Sequence, residues 1–580
     1  MATPTPTDHN ARHIDALADE MFTMELRSKP VYATQIGYPE YASEMPDLTR
    51  SGVEQRRLEL SGLAERVRAV NPSTLDAERG ITHEVLLRKI SDELLSTDAR
   101  AYDYTVTPIP QTGLAASVII GFPKTPIRTA ADAEGYLNRC QKVPAWLEEA
   151  LARLADGRAT GRTPVRRLVA NAVEQIDGYL ESPLTDDPLL SVPDPAGGRA
   201  SGWRDRLVGV VRDDVRPALA AYRDHLAREI TETARSDEQV GLAHLPDGVE
   251  LYQRLAATHT TTELSIEDIH QTGLELVAEL TEEMRELGAS TVGLDNFADI
   301  TNRLRTDPEL FFGTPDEVQA AAQDALNRAQ DELPRWLGLR PQIPCQVIPM
   351  TPYEVENGDL GHYQWPTRDG SRPGTYWINT YKPHTRPKFE SQTLAFHESV
   401  PGHHTQLALS QELSTIPEFR QHAHITAFSE GWALYVERLA DEMGLYSGDI
   451  YRLGMISFDF WRACRLVVDT GMHAQGWSRD RAVGYMLEHS ALTRKNIENE
   501  LDRYIGWPGQ ALGYMIGRLE IRRLRGEAER RLGDRFDLPA FHSTVIGHGS
   551  LPLSVLGQVV ERWITEAERP SDRPANGIQP

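Results

Sequence analysis

Hydrophobic and polar positions follow each other along most of the chain with the spacing of an amphipathic helix. Apolar side chains recur every three or four residues with charged side chains between them, which is the pattern of a helix with one buried face. Stretches rich in Pro and Gly at 103–127 and 182–203 predict the longest loops. We therefore expect a mostly α fold. The predicted helices cover residues 10–27, 53–70, 81–97, 131–156, 204–233, 265–287, 315–332, 388–400, 416–443, 448–473, 478–489 and 508–532.

Strand patterns are confined to one region, directly before the C-terminal group of predicted helices. Residues 343–350 and 374–381 are short, rich in branched or aromatic side chains, and bounded by Pro and Gly, as strands are. They predict a small antiparallel sheet beside the helix at 388–400. We expect one continuous helical body with a deep cleft, in which residues 1–340 form the walls and lid and residues 341–580 hold the chemistry.

The balance of charges excludes some classes of partner. With 61 Lys plus Arg against 85 Asp plus Glu, the formal net charge is −24, whereas nucleic-acid binding needs a basic surface. No segment approaches about 18 consecutive apolar residues, and no basic segment followed by an apolar one is visible at the start, so neither a membrane span nor a secretory signal is expected. The three cysteines, Cys140, Cys345 and Cys464, lie far apart and form no disulfide or thiolate-zinc pattern. A cytoplasmic location is expected.

The strongest chemical signal is a His-Glu pair in the predicted helix at 388–400. In many zinc peptidases such a pair is followed by a second His one turn later, and the two histidines bind the ion while the Glu activates water. His397 and Glu398 supply the pair, but Pro401 occupies the position of the second histidine. The motif predicts a metal site with His397 as a ligand and Glu398 as the general base.

Two histidines after the proline compete for the second ligand position. His403 lies six residues after His397, which turns it off the shared face of an ideal helix, and His404 lies seven residues on, about 10 Å further along the axis. Pro401 removes a backbone donor and Gly402 tolerates unusual dihedral angles, so these two residues predict a local break in the helix. Such a break would bring His403 beside His397, and His404 is the alternative ligand.

A third ligand is needed, because a catalytic zinc ion takes three protein ligands and keeps one position open. The segment Phe428–Glu437 carries two carboxylates on the next predicted helix. Glu430 lies 27 residues after His403, enough for a turn and an antiparallel return, and it is the predicted ligand. Glu437 is two turns later on the same face, where it is better placed to support a ligand than to bind the ion.

Four segments together resemble a known family. The segments are His397–His404, Phe428–Glu437, Val467–Trp477 and Pro508–Glu520. They look like a bacterial family long labelled a domain of unknown function, number eight-eight-five. That family is similar in fold to the thermostable, zinc-dependent carboxypeptidases of the Taq type, which are gluzincin peptidases. The resemblance implies one zinc ion, an exopeptidase activity and a ligand glutamate at the position of Glu430, and the inserted Pro401–Gly402 departs from the pattern.

Two further residues are predicted to take part in the reaction. The segment Trp507–Gly517 looks like one that brings a tyrosine to the cleft in Taq-type carboxypeptidases, so Tyr514 is the predicted oxyanion donor and Tyr504 the alternative. His473 lies four residues after Asp469, and the two predict an oriented acid–imidazole pair near the substrate. The alternative interpretations are a core tyrosine and a histidine that ends a helix.

Substrate contacts are predicted in the strand region and at arginines. The segment Tyr376–Thr380 is expected to be an edge strand beside the metal-binding helix, to which an extended peptide adds by backbone hydrogen bonds, and an ordinary core hairpin is the alternative. Tyr376 and Asn379 are its predicted substrate contacts. A substrate carboxylate needs a cation, and arginine suits bidentate contact. The candidates, among which the sequence does not choose, are Arg372, Arg503 and Arg518.

These features together predict a zinc-dependent hydrolase that cleaves short peptides, as a carboxypeptidase or a dipeptidase. One zinc ion is the expected cofactor. Two other functions remain open, a metal-dependent hydrolase of a non-peptide amide and a helical binding protein without activity. The expected partner is a short peptide or peptide-like molecule, with neither nucleic acid nor membrane, and a homodimer is allowed.

Overall fold

The computed structural model describes residues 6–195, 202–350, 360–367, 370 and 372–569. Most of these residues are helical, and the named strands form one small sheet. The mostly α fold that the periodicity predicts is confirmed. Within the described ranges, no helix is both long enough and apolar enough to cross a membrane.

The helices follow one another from residue 6 to residue 568. In chain order they are α1 (Pro6–Ser28), α2 (Pro30–Gln35), α3 (Arg50–Arg68), α4 (Ala77–Asp98), α5 (Ala130–Ala159), α6 (Arg166–Glu181), α7 (Trp203–Val210), α8 (Arg216–His225), α9 (Gly248–Thr260), α10 (Ile266–Thr291), α11 (Phe297–Thr306), α12 (Pro315–Trp336), α13 (Ser391–Glu398), α14 (His403–Glu412), α15 (Glu418–Gln421), α16 (Thr426–Glu442), α17 (Asp449–His473), α18 (Arg479–Glu488), α19 (Arg494–Gly506), α20 (Gly513–Leu532), α21 (Leu538–Ile546) and α22 (Leu553–Glu568). Two π-helical segments, Val211–Val215 and Leu226–Ile230, interrupt the helical run predicted over 204–233.

Side-chain caps mark the start of several helices, but they do not decide which helices the pattern finds, because α11, α19 and α21 have such caps and are missed. α5 begins with a capping box, in which Thr129 and Asp132 each accept a hydrogen bond from the other's backbone N–H, and α10 begins at the Ser265 cap. α6 and α22 begin without a side-chain cap, and the pattern misses both. It also misses α2, α9, α11, α14, α19 and α21, and it merges α15 with α16.

The sheet has three strands, β1 (Cys345–Pro349), β2 (Gly361–Gln364) and β3 (Gly374–Ile378), in the order β1-β3-β2. β3 is parallel to β1 and antiparallel to β2, so the predicted antiparallel sheet is a mixed one. β2 is short and has no branched side chain, and the pattern therefore misses it. Because β2 covers one edge of β3 and β1 covers the other, the prediction that Tyr376–Thr380 forms an edge strand is wrong.

Long helix pairs and the sheet position the C-terminal part. α10 packs along α17, α16 packs along α20, α13 packs against β2, and α14 packs against β3. α16 and α20 come very close at two glycines, because a Cβ on Gly517 would lie 1.7 Å from the Ala427 carbonyl oxygen and one on Gly431 would lie 2.6 Å from the Gly517 backbone. Glycine allows this approach because it has no side chain.

Two hydrophobic clusters form the interior. The larger cluster extends from Ile14 to Ile564 and takes side chains from both sides of residue 340. The smaller cluster lies between residues 48 and 234. A core shared across residue 340 agrees with one continuous body, while the division of roles at that residue and the deep cleft stay predictions.

Candidate metal centre

The metal-ligand motif spans a break between α13 and α14. α13 ends at Glu398 and α14 begins at His403. Between them the Val400–Pro401 peptide bond is cis. A Cβ on Gly402 would lie 1.9 Å from the His397 carbonyl oxygen, so this turn requires glycine. The predicted break in the helix is confirmed.

The break turns His403 towards His397. Their ring centroids are 4.8 Å apart and the rings are nearly perpendicular, at 85°, and both side chains are buried. His404 points elsewhere: its Nε2 donates to the Ile343 carbonyl oxygen at 3.1 Å, and its Nδ1 bonds the Tyr363 hydroxyl at 3.0 Å. Both ring nitrogens of His404 are thus occupied, which favours His403 as the second ligand.

α16 brings Glu430 to the two histidines. Glu430 Oε2 lies 3.4 Å from His397 Nε2 and 3.3 Å from His403 Nε2. Burial raises the pKa of this carboxyl, but the two histidines, when protonated, outweigh burial and hold the pKa of Glu430 well below its usual range. The three side chains predicted as ligands therefore converge in one buried site.

Glu398 belongs to the same cluster. One ligand atom from each of His397, Glu398 and His403 lies within 4.8 Å of the others. Glu398 is thus close to both histidines, but it is Glu430 whose Oε2 lies 3.4 and 3.3 Å from the Nε2 atoms of His397 and His403. The contacts favour Glu430 as the third ligand and leave the Glu398 carboxylate beside the ligands, where a general base is needed.

Glu437 fixes the tautomer of His397. His397 Nδ1 is 2.7 Å from Glu437 Oε1, and a carboxylate only accepts, so Nδ1 carries the proton. In the neutral ring, which is the form that binds a metal, His397 Nε2 then presents its lone pair towards Glu430 and His403. Glu437 is fully buried, and Arg462 Nη2 lies 3.8 Å from its Oε1. These contacts agree with the supporting role predicted for Glu437.

The donors of the site fit a zinc ion. Glu430 Oε2 is buried, and its contacts with the histidines lack hydrogen-bond geometry, so it has no hydrogen-bond partner among the described residues. A buried carboxylate oxygen in that state is costly unless a cation pairs with it. Two imidazole nitrogens and one carboxylate oxygen are a ligand set that zinc takes in catalytic sites. His397, His403 and Glu430 would hold the ion.

One family profile matches the chain over residues 30–560, and it is described as "Bacterial protein of unknown function (DUF885)". The chain belongs to the DUF885 family. This match confirms the family that the sequence motifs resemble. No curated protein matches the chain.

Two solved structures are similar to this DUF885 chain. A "putative lipoprotein" from Colwellia psychrerythraea is 25% identical, with a TM-score of 0.89, and the match covers 96% of this chain and 99% of that one. A "putative lipoprotein of unknown function" from Shewanella oneidensis is 18% identical, with a TM-score of 0.73, over 95% of this chain and 99% of that one. Lipoproteins are anchored to membranes and are not cytoplasmic, so the expected cytoplasmic location is wrong. The three cysteines are buried and free, a state that does not depend on the compartment.

Tyr514 lies near the metal-ligand cluster of this DUF885 chain. Gly513 and Gly517 lie on the face of α20 that contacts α16, and this contact brings Tyr514 towards Glu430. Burial raises the pKa of the Tyr514 hydroxyl, the Glu430 carboxylate raises it further, and a hydrogen bond from Gln510 lowers it. A hydroxyl oxygen that accepts from the Gln510 amide keeps its own proton for another acceptor.

Tyr504, the alternative to Tyr514, is engaged elsewhere. Its side chain is fully buried. Its hydroxyl donates to Glu500 Oε2 at 2.7 Å and accepts from Arg465 Nε at 2.7 Å and Trp461 Nε1 at 3.0 Å. The structure therefore favours Tyr514.

His473 Nε2 lies 3.8 Å from Asp469 Oδ1, so the predicted acid–imidazole pair is close, but the two make no hydrogen bond. Its Nε2 donates to the Tyr504 carbonyl oxygen at 3.1 Å, and its Nδ1 accepts from the Leu242 N–H at 3.1 Å. Burial lowers the pKa of His473 to about 3, so the ring is neutral. Asp469 accepts from the Tyr252 hydroxyl at 2.6 Å instead. Both ring nitrogens of His473 are thus used by the backbone, and neither is left for a substrate.

The two residues predicted as substrate contacts on β3 differ in their surroundings. Tyr376 is fully buried, and its hydroxyl has no hydrogen-bond partner among the described residues. Burial raises the pKa of that hydroxyl and the Glu398 carboxylate raises it further, so Tyr376 faces the site and stays a candidate contact. Asn379 Oδ1 accepts from the Tyr381 N–H at 3.1 Å. Asn379 is fully buried and shapes the turn after β3.

The three candidate arginines lie in different places. Arg518 pairs with Asp459, which is a structural ion pair and corrects its predicted contact with the substrate. Arg372 is half-buried directly before β3, and burial lowers the pKa of its guanidinium. Arg503 lies close enough to Tyr514 for their charges to interact. Of the three, Arg503 is the one that the structure brings near the predicted oxyanion donor.

The sequence analysis did not single out His424 as a site residue. His424 lies in the loop before α16 and is exposed. The protein around the His424 ring removes part of its hydration and lowers its pKa, and the charges of Glu430, His403 and Lys89 also act on the ring. His424 therefore lies close to Glu430 and His403 of the metal-ligand cluster. Its position just before the helix of Glu430 is the one local signal for this location.

Proposed function

We propose that this chain is a zinc-dependent hydrolase that removes residues from short peptides by cleaving a terminal peptide bond. The observation that carries the proposal is the convergence of three buried metal-binding side chains. Glu430 Oε2 lies 3.4 Å from His397 Nε2 and 3.3 Å from His403 Nε2. The Glu398 carboxylate lies in the same cluster. Three ligands and a nearby carboxylate base are the parts of a hydrolytic zinc site. The resemblance to Taq-type zinc carboxypeptidases, which are gluzincins, supports peptides as the substrates.

The side chains divide the proposed reaction among themselves. When bound, zinc polarises the scissile carbonyl and lowers the pKa of a water molecule to about 7. Glu398 takes a proton from the attacking water on a carboxylate oxygen and later passes it to the leaving amine nitrogen. The Tyr514 hydroxyl donates to the carbonyl oxygen as negative charge develops there. Glu437 holds the His397 ring so that Nε2 faces the site.

Metal content tests the site directly. Protein supplied with zinc is expected to hold about one zinc ion per chain by elemental mass spectrometry, and His403→Gln is expected to lose it. His404→Gln is the matched control, because it removes the neighbouring histidine, which bonds Ile343 and Tyr363, and it is expected to keep the metal. Wild-type protein without metal, or full metal content in His403→Gln, would overturn the site.

Hydrolysis tests the reaction. The wild type is expected to cleave dipeptides and N-acetylated dipeptides, and Glu398→Gln is expected to keep the metal but lose at least about 100-fold in rate. Full activity in Glu398→Gln would remove Glu398 from the mechanism. Cleavage of acyl amino acids alone would indicate an amidohydrolase of non-peptide substrates. Metal without any hydrolysis would indicate a binding protein.

A further inference from the structure

Three arginines form a cluster next to Tyr514. Arg462 and Arg465 lie one turn apart on α17, and Arg503 lies on α19. The Arg465 Cζ is 4.3 Å from the centroid of the Tyr514 ring. The Cζ atoms of Arg462 and Arg465 also lie over the Trp461 ring, 4.3 and 4.4 Å from its centroid. Aromatic rings thus hold guanidinium groups close together in spite of their like charge.

Two carboxylates face these three cations. Glu500 Oε2 accepts from Arg465 Nη2 at 3.1 Å and from Arg503 Nη2 at 2.9 Å. The other carboxylate is Glu437, which lies 3.8 Å from Arg462 and already accepts a hydrogen bond from a metal ligand. Glu430 also lies close enough for its charge to act on Arg462, and Asp469 close enough to act on Arg465 and Arg503.

Buried donors in the cluster lack acceptors. Arg462 Nε and Nη1 and Arg465 Nη1 have no hydrogen-bond partner among the described residues. Arginine does not lose its proton in proteins, and leaving buried N–H donors without acceptors is destabilising. An anion that enters this region would relieve that cost.

Arg503 is the member of the cluster that a ligand reaches most easily. The Arg503 side chain is 19% exposed, whereas that of Arg462 is 4% and that of Arg465 is 3% exposed. Two contacts with Glu500 and one with Gln510 use three of its five N–H donors, so two donors remain. Gln510 also hydrogen-bonds Tyr514. The position of the Arg503 guanidinium is therefore tied to that of the predicted oxyanion donor.

We propose that Arg503, with Arg462 and Arg465 behind it, binds a carboxylate of the substrate next to the amide bond that is cleaved. This inference rests on the proposed function, because Tyr514 joins the arginine cluster to the metal-ligand cluster. The substrates are then peptides or acyl amino acids with a free carboxylate close to the scissile bond. That carboxylate belongs either to the C-terminus or to an acidic side chain, and arginine binds both in the same bidentate manner.

Binding to an inactive variant tests the proposal without turnover. In the Glu398→Gln background, calorimetry compares N-acetyl-Ala-Ala with its C-terminal amide and with N-acetyl-Ala-Asp amide. The free acid is expected to bind at least about tenfold more tightly than the plain amide. Arg503→Gln is expected to remove this difference, and Arg503→Lys is expected to keep part of it. Tight binding of the Asp amide would also support the site and would assign the carboxylate to a side chain.

Equal binding of the acid and both amides, or no binding of any of the three, would overturn the proposal. Arg479→Gln is the matched control. Arg479 is a buried arginine on α18 that pairs with Asp502 at 2.8 Å and does not belong to the cluster, so this variant is expected to keep the preference for the acid. Thermal unfolding of each variant shows whether it is folded.

The failure of this inference and the failure of the proposed function have different signatures. If the preference for the acid depends on Arg503 but the wild type hydrolyses no peptide, the carboxylate site stands and the peptidase does not. If the wild type hydrolyses the acid and the amide with equal kcat/KM, the peptidase stands and the carboxylate site does not.

Discussion

The contact between α16 and α20 sets the distance between Glu430 and Tyr514, and one methyl group is enough to test it. In Gly517→Ala, the new Cβ would lie 1.7 Å from the Ala427 carbonyl oxygen and 2.8 Å from the Gly431 Cα. Both neighbours are backbone atoms, which cannot move aside as a flexible side chain does. The two helices must therefore separate.

The size of the effect follows from these distances. The new Cβ would lie 1.7 Å from the Ala427 oxygen, whereas an ordinary contact is about 3.5 Å. The two atoms must therefore move apart by roughly 1.8 Å. Overpacking costs about 1–3 kcal/mol, occasionally more, and the higher helix propensity of Ala returns about 1 kcal/mol. Since backbone is displaced, we take the upper end and expect a net loss of about 2 kcal/mol. A shift of about 1 Å at Tyr514 is expected to lower the rate on the order of 100-fold.

Urea unfolding of two variants gives the measurement. Gly526→Ala is the matched control, because Gly526 is exposed on the same helix and a Cβ there meets nothing within 4 Å. It is expected to be more stable than the wild type by up to about 1 kcal/mol. If Gly517→Ala unfolds at the same urea concentration as the wild type, the two backbones are not in contact at this position and the reasoning fails.

Two other predictions concern buried carboxylates. Glu437→Gln keeps a hydrogen bond to His397 but removes a charge, so chelator competition should show zinc affinity lower by about 10- to 100-fold, and unchanged affinity would refute the supporting role. Burial raises the pKa of Asp469 from 3.8 to about 7. Between these two pH values Asp469 is ionised in the unfolded chain and protonated in the native state. The free energy of unfolding therefore falls as pH rises. Asp469→Asn should therefore gain about 3 kcal/mol relative to the wild type between pH 5 and pH 8, and a constant difference in the free energy of unfolding would contradict the shift.

Local information in the sequence determined most of the helices and the centre of the candidate site. Apolar periodicity reports which face of a helix is buried, and it needs no knowledge of what that face contacts. His397, Glu398 and Glu430 were recognisable from their residue types and spacing. Pro401–Gly402 indicated a broken helix because proline lacks a backbone N–H donor and glycine tolerates unusual dihedral angles. Capping residues did not decide the rest, because α6 and α22 lack a side-chain cap and were missed, but α11, α19 and α21 have one and were missed as well.

Only the tertiary structure decided between residues that are equivalent by local pattern. His403 and His404 differ because β2 supplies Tyr363 to the second of them, and that contact joins residues 41 positions apart. Tyr504 and Tyr514 differ because Glu500 and Arg465 occupy the hydroxyl of the first. Such pairings depend on long-range packing, whose free energy is not encoded in any short window.

The same reason explains the sheet and the arginines. The order β1-β3-β2 makes β3 central, and it follows from a short strand whose sequence carries no clear pattern. Arg462 and Arg465 come from α17 and Arg503 comes from α19, so their cluster exists only once the two helices are packed together. The sequence by itself determined which residues are able to bind a metal, and the tertiary structure decided which of them meet, because residue chemistry is local whereas proximity is set by the whole fold.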